Sequence, residues 1–135
     1  MDFISLDISA SGLEAQRIRL NTLASNIANI ESYIKKNKPF KRLEPVFRAL
    51  INEKTFKEGI AFVKVERIIT SSYPIVKIYD PYNPLKDKKG YVNTPNISLI
   101  KEISDLVSAS KAYQANLQAY KLNRDLILNT IEIWK

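Results

Sequence analysis

Stepping alternately by four and three residues from Leu99 reaches Ile103, Leu106, Ser110, Tyr113, Leu117, Tyr120, Arg124, Ile127, Ile131 and Trp134. Nine of these eleven positions are apolar or aromatic, a 3.5-residue repeat held for about five heptads, as in a helix packed along a coiled-coil seam. Pro95 precedes Asn96, a residue suited to cap a helix, and no breaker follows. A helix of about 36 residues would be about 54 Å long, longer than a compact globule of 135 residues is wide. The opposite flank carries a weaker version of the same pattern. Leu6, Leu13, Leu20 and Ile27 recur every seven residues, Leu23 and Ile30 follow at plus three, and Phe3, Ala10 and Ala24 fall at plus four. Ser5 or Ser9 is placed to cap this first helix, and Gly12 costs it about 1 kcal/mol relative to Ala.

Two arrangements satisfy such stripes: a long antiparallel hairpin folded on itself, or helices that seek partners outside the chain. The second stripe is longer than the first can cover. Val107, Ala109, Ala112, Ala115, Leu122, Leu126 and Leu128 lie off the seam and widen its apolar face. A helix apolar over that much of its circumference needs several neighbours.

Between the flanks the pattern changes. All six prolines lie between Pro39 and Pro95, with Gly59 and Gly90 among them, so regular helix is excluded from much of this stretch. Ile60, Phe62, Val63 and Val65, then Ile68-Ile69, then Ile75-Val76, Ile78 and Tyr79 read as short strands, with Ser71-Ser72-Tyr73-Pro74 joining the last two runs as a hairpin. Phe40 to Ile51 reads as a further strand ending in Arg48-Ala49-Leu50-Ile51. Asp80-Pro81-Tyr82-Asn83-Pro84 is a turn-rich linker and Lys88-Lys89-Gly90 another turn. The expected fold class is mainly α with a small β-containing middle: long N- and C-terminal helices packing as coiled coil, with short strands and turns between them. The expected division is an N-terminal assembly helix over 1–33, a basic, proline-containing module over 34–95 and a C-terminal heptad helix over 96–135.

Charge sharpens this division. The net charge is +7, yet residues 1–33 carry 2 basic and 4 acidic groups, residues 34–95 carry 14 and 6, and residues 96–135 carry 5 and 4. The whole excess sits in the middle. Lys35-Lys36, Lys38, Lys41-Arg42, Lys86 and Lys88-Lys89, interleaved with Tyr33, Phe40, Tyr82 and Tyr91, raise an alternative function: a basic nucleic-acid-binding protein that oligomerises by coiled coil. The lysines surround turns and line no single helix, so a solvated face is the preferred reading. The sequence has neither His nor Cys, which excludes imidazole and thiolate catalysis, His or Cys zinc ligation and disulfides. Glu53 with Glu58, or Asp80 with Asp87, could pair as acid and base, but no phosphate-binding glycine loop accompanies them, and surface charge is the better reading. No enzyme, cofactor or metal is expected. Asp2 and Asp7 near the start give the wrong polarity for a signal peptide, and no stretch approaches the roughly 18 apolar residues of a spanning helix. No membrane insertion is expected.

Particular strings then narrow the field. Residues Gln16-Arg17-Ile18-Arg19-Leu20-Asn21-Thr22-Leu23-Ala24-Ser25-Asn26-Ile27-Ala28-Asn29 and, near the other end, Tyr113-Gln114-Ala115-Asn116 resemble the first and last helices of the rod and hook family of bacterial flagellar axial proteins. Asn83-Pro84-Leu85, Gly90-Tyr91-Val92 and Pro95-Asn96 in that order resemble the proximal-rod members. The resemblance implies a structural subunit of the basal-body proximal rod, its terminal helices forming the inner layer of a hollow, torque-transmitting tube. It also implies export through the flagellar type III apparatus without a cleaved signal, assembly across the periplasm, and partnership with copies of itself and other rod proteins but no nucleic acid. The expected subunit-interface residues are Leu6, Leu13, Leu20, Leu23, Asn26, Ile27 and Asn29 in the first helix and Leu99, Ile103, Leu106, Tyr113, Asn116, Leu117, Tyr120, Ile127 and Ile131 in the last. With that resemblance, Asn26, Asn29 and Asn116 are expected to hydrogen-bond within or between packed helices and fix their register.

Overall fold

The computed structural model describes residues 3–32, 39–72 and 75–135. Two long helices frame it. Helix α1 runs Ile4–Ala28 and helix α3 Leu99–Ile133, with strand β1 (Leu43–Leu50), the short helix α2 (Glu53–Lys57), and strands β2 (Phe62–Thr70), β3 (Val76–Tyr79) and β4 (Tyr91–Thr94) between them. Helix α1 packs on α3 along one side and on β1 and β2 along the other. It is therefore the middle layer of three.

The helix pair is antiparallel. Gly12 abuts Asn116, while Asn26, fourteen residues later in α1, bonds Glu102, fourteen residues earlier in α3. The same register brings Ile4 level with Arg124. Helix α3 thus continues about nine residues past the start of α1, roughly 14 Å at 1.5 Å per residue. Ser98 caps α3, its Oγ accepting from the Lys101 amide at 3.4 Å, so the helix starts later than the Asn96 cap expected from sequence. Helix α1 has Phe3 at its N-cap and no side-chain cap bond. Ser9, a cap candidate by sequence, is mid-helix and donates to the Ser5 carbonyl.

Strands β1 and β2 form an antiparallel hairpin running from Leu43↔Thr70 to Leu50↔Phe62, with a bulge between Val46 and Phe47. Its connection holds α2, which sequence periodicity did not predict. Asn52 and Thr55 close a capping box there: Asn52 Oδ1 accepts from the Thr55 amide and Thr55 Oγ1 from the Asn52 amide. The expected hairpin between the runs at 62–70 and 75–79 does not form. Strand β3 pairs instead with β4, from Val76↔Thr94 to Tyr79↔Tyr91, because Asp80–Gly90 folds back as an ordered turn and not as an open linker. Tyr73 and Pro74, within the expected turn, lie outside the described residues, as do Tyr33, Lys35, Lys36 and Lys38 of the basic clusters.

Gly12 explains its own presence in mid-helix. A Cβ there would come within 2.5 Å of Asn116 Oδ1, so the missing side chain is what lets the helices approach. Gly12→Ala should lower stability, because overpacking costs about 1–3 kcal/mol against a helix-propensity gain of about 1 kcal/mol. With Asn116→Ala already present, the same change should become stabilising. Urea unfolding of the four variants checks this, and an effect of the same sign in both backgrounds would refute the close-approach account.

Candidate assembly interface

Two close contacts set the packing of α1 on α3: Gly12 against Asn116, and Asn26 to Glu102. On α3 the buried positions are Glu102 and Ala109, and Asn116, one further heptad on, meets Gly12. On α1 they are Ser9, Gly12, Ala15, Thr22, Leu23 and Asn26. Only Leu23 among them is large and apolar. Much of the apolar bulk of α3 stays uncovered: Leu99, Ile103, Val107, Leu122, Leu126, Leu128, Ile131 and Ile133 are all exposed. Leu20 and Leu106 line an open groove of about 550 Å³ with Val107, Ser110, Lys111 and Gln114. A monomer rarely leaves this much apolar surface bare unless something docks on it.

A buried polar junction locks α1, α3 and the approach to β1 together. The Asn26 side chain treats Leu43 as a strand would: Nδ2 donates to the Leu43 carbonyl at 2.9 Å and Oδ1 accepts from the Leu43 amide at 2.8 Å. The same Nδ2 donates to Glu102 Oε2 at 3.1 Å. Glu102 is fully buried, and its Oε1 accepts from Arg42 Nε. Arg42, 8% exposed, also donates to Glu44 Oε1 and lies 3.9 Å from Asp105. Each buried charge is thereby paired and hydrogen-bonded, the condition under which burial is tolerated.

At the far side of the middle, Asp87 organises the β3–β4 turn. Its Oδ1 accepts from the amides of Lys89 at 2.8 Å and Tyr91 at 2.9 Å. The Tyr91 amide chiefly, with help from Lys89, holds this carboxyl below the usual carboxylate range, against an opposing contribution from burial. Gly90 takes φ +87°, where a side chain would be strained, and a Cβ would come within 2.9 Å of Tyr79. Tyr79 meets Tyr91 edge-on at 5.4 Å between ring centroids. Lys88 and Lys89 are exposed on this turn, whereas Lys86 Nζ folds back to donate to the Pro81 carbonyl at 2.6 Å. Among the described residues there is no group of three acidic side chains placed to hold a metal, and no helix is long and apolar enough to cross a membrane.

Comparison with known proteins assigns the arrangement. The family model for flagella basal body rod protein matches residues 6–31, and that for the C-terminal region of flagellar basal body rod FlgEFG protein matches residues 88–132. The chain is 48% identical to the flagellar basal-body rod protein FlgC of Aquifex aeolicus, over 98% of this chain and 97% of the relative. This chain belongs to the FlgC family of flagellar basal-body rod proteins. The Escherichia coli member is 37% identical over 94% of this chain and 93% of its own, and the Bacillus subtilis member 32% identical over 98% of both. The family is one of structural rod components rather than enzymes.

The matched segments cover nearly all of both long helices, and the structure sorts the interface residues expected from sequence. Leu23 and Asn26 are buried against the chain's own α3 and β1 side. Leu6, Leu13, Leu20, Ile27 and Asn29 are half-buried, as are Leu106, Tyr113, Asn116, Leu117, Tyr120 and Ile127. Leu99, Ile103 and Ile131 are exposed. Of the three asparagines, Asn26 bonds across elements, whereas Asn29 donates to the Ser25 carbonyl and Asn116 to the Ala112 carbonyl, each within its own helix. Periodicity missed Arg42 and Glu102. An acid in the first turn of a helix is ordinarily a favourable partner for the helix dipole, and that everyday reading conceals Glu102's role.

Two outcomes test the geometry. Arg42→Met should cost about 3–5 kcal/mol by stranding the buried Glu102 carboxylate, Glu102→Gln should cost less because Arg42 keeps Glu44, and the double change Arg42→Met with Glu102→Met should recover most of the Arg42→Met loss. Denaturant titrations of the three variants decide, and equal losses in Arg42→Met and the double variant would contradict the pairing. The Asp87 turn has a pH signature. Because the folded carboxyl is held low, its contribution is complete above the ordinary value of about 3.9 and is lost only as pH falls through the depressed folded value. The Lys89 and Tyr91 amide shifts in NMR should therefore stay constant down through the ordinary value and move only below it, and Asp87→Asn should remove the transition. A midpoint at the ordinary value would refute the assignment.

Proposed function

We propose that the chain is a subunit of the proximal rod, exported through the flagellar type III system without a cleaved signal and built into a hollow, torque-transmitting tube that crosses the periplasm. Its terminal segments (1–33 and 96–135), which carry α1 and α3, act as the assembly units, and residues 34–95 form an outer module that contacts neighbours. Its partners are further copies of the chain, other rod proteins and, in transit, the export apparatus. The single observation carrying this reading is similarity to FlgC relatives along essentially the full length of both chains.

Physical features support it. A drive shaft requires many contacts shared among several neighbours, and exposed apolar helix flanks supply buried area at about 25 cal/mol per Å² on assembly. Helix α3 keeps such flanks along its whole length, including the stretch that α1 does not cover. The interface assignments from Leu6 to Asn29 and from Leu99 to Ile131 belong to this proposal.

An in-frame deletion, complemented in trans, tests it through electron microscopy of isolated basal bodies. Basal bodies that stop at the membrane ring without rod, hook or filament are the expected result. Intact flagella in the deletion strain would overturn the proposal. Leu117→Asp should likewise abolish assembly, since it puts a charge where burial is costly, and normal swimming in that strain would count against the placement of α3 in the packed layer.

A further inference from the structure

The two outer edges of the β3–β4 ribbon are treated differently. The Asp80 amide donates to the Gly90 carbonyl at 2.9 Å, and with Tyr79↔Tyr91 and Lys77↔Asn93 as partners that bond fixes the phase of the ladder. Backbone groups alternate between facing the partner strand and facing away. The amides and carbonyls of Lys77 and Tyr79 on β3, and of Tyr91 and Asn93 on β4, therefore turn outward. On β4 the chain itself takes up those of Tyr91: the amide donates to Asp87 Oδ1 at 2.9 Å, and the carbonyl accepts from the Asp87 amide at 2.8 Å. On β3 they stay open. Among the described residues no hydrogen bond reaches the outward groups of Lys77 or Tyr79, and β3 packs on no element but β4.

The side chains repeat this asymmetry. Val76 and Ile78 share a face with Thr94 and Val92. Val92 and Thr94 are buried, whereas Val76 is 39% and Ile78 50% exposed. That face is covered over β4 and bare over β3. An apolar edge strand with unpaired backbone groups is a template for a further strand. The other hairpin blunts its edges: β1 has Pro45, the bulge after Val46 and the Asn26 side chain bonded to Leu43, and β2 carries Lys64, Glu66 and Arg67.

We propose that β3 takes a third strand from a different protein of the rod: an extended segment with apolar residues at alternate positions and an acidic residue beside Lys77. The row of outward amides and carbonyls selects an extended backbone, and Val76 with Ile78 selects the apolar alternation. Charge selects the source. Lys77 stands in the middle of the edge, within a module of 14 basic and 6 acidic groups. A second copy paired on β3 through its own β3 would set lysine near lysine, which is destabilising, and would close into a two-fold dimer where a tube must propagate. The inference rests on the rod-subunit reading for the origin of the strand, whereas the open edge belongs to the fold alone.

Residue-resolved amide exchange on the full chain, free and within isolated basal bodies, reads the new bonds. In the free chain Lys77 and Tyr79 should exchange fast and Ile78 slowly. In basal bodies Lys77 and Tyr79 should slow by about tenfold or more, as amides do on entering a ladder. Lys77→Pro deletes one outward N–H and leaves the β3–β4 ladder intact. The purified variant should keep the native circular dichroism spectrum, while its amount in basal bodies falls about tenfold. Lys77→Arg keeps donor and charge and should assemble normally. A benzoylphenylalanine encoded at position 78 should cross-link, in irradiated basal bodies, to another protein. Lys77 and Tyr79 amides that stay fast in basal bodies, normal incorporation of Lys77→Pro, or cross-links only to copies of this chain would each overturn the proposal and leave the rod assignment standing. Absence of the native chain from basal bodies would instead overturn the rod assignment. Should Lys77→Pro fail to fold, the exchange pattern and the cross-link decide.

Discussion

One buried cluster sets the shape of this molecule. Glu102 sits with no solvent access between Asn26 of α1 and Arg42 at the approach to β1. A carboxylate there without partners would cost several kcal/mol, so only an arrangement that delivers both partners at once is tolerated. Sliding α1 against α3 by one turn would remove Asn26 from Glu102, and displacing β1 would remove Arg42. The junction penalises other registers, because removing either partner from a buried ion pair strands the other. It is also what brings the strands alongside α1.

The register has a second determinant farther along the hairpin. Gly12 and Asn116 meet where a side chain on the glycine would collide. Two constraints some fourteen residues apart, one polar and one steric, fix a single alignment. With that alignment set, several large apolar side chains of α3, among them Leu99, Ile103, Leu122 and Leu126, are left exposed. The division suits an assembling subunit. Specific, directional contacts hold the chain in shape, and non-directional apolar surface remains for neighbours.

Much of this was legible in the sequence, for identifiable reasons. The heptad spacing from Leu99 to Trp134 marked a long helix, and the proline-rich interval from Pro39 to Pro95 marked where helix had to stop. The Asn-containing strings carried the family. Three things were not legible. Strand pairing depended on whether Asp80–Gly90 folds back, which rests on Asp87 accepting two backbone amides and on the positive φ of Gly90, neither of which periodicity encodes. Apolar periodicity located the bulky residues correctly but did not show that the tightest helix contact lies along Glu102, Ala109 and Asn116. Arg42 escaped notice because it sits in a basic cluster where charge reads as solvation.

On this reading the subunit enters the rod with its helix hairpin already locked and its outer apolar flanks still bare. Amide hydrogen exchange on the purified chain, and again on the chain within isolated basal bodies, tests this most directly. Protection before assembly is expected along α1 and the part of α3 it covers, strongest near Asn26 and Glu102, with α3 beyond Arg124 exchanging freely. Incorporation should then protect that final stretch. An unprotected hairpin in the free chain, or a final stretch that remains unprotected in the assembled rod, would contradict the account.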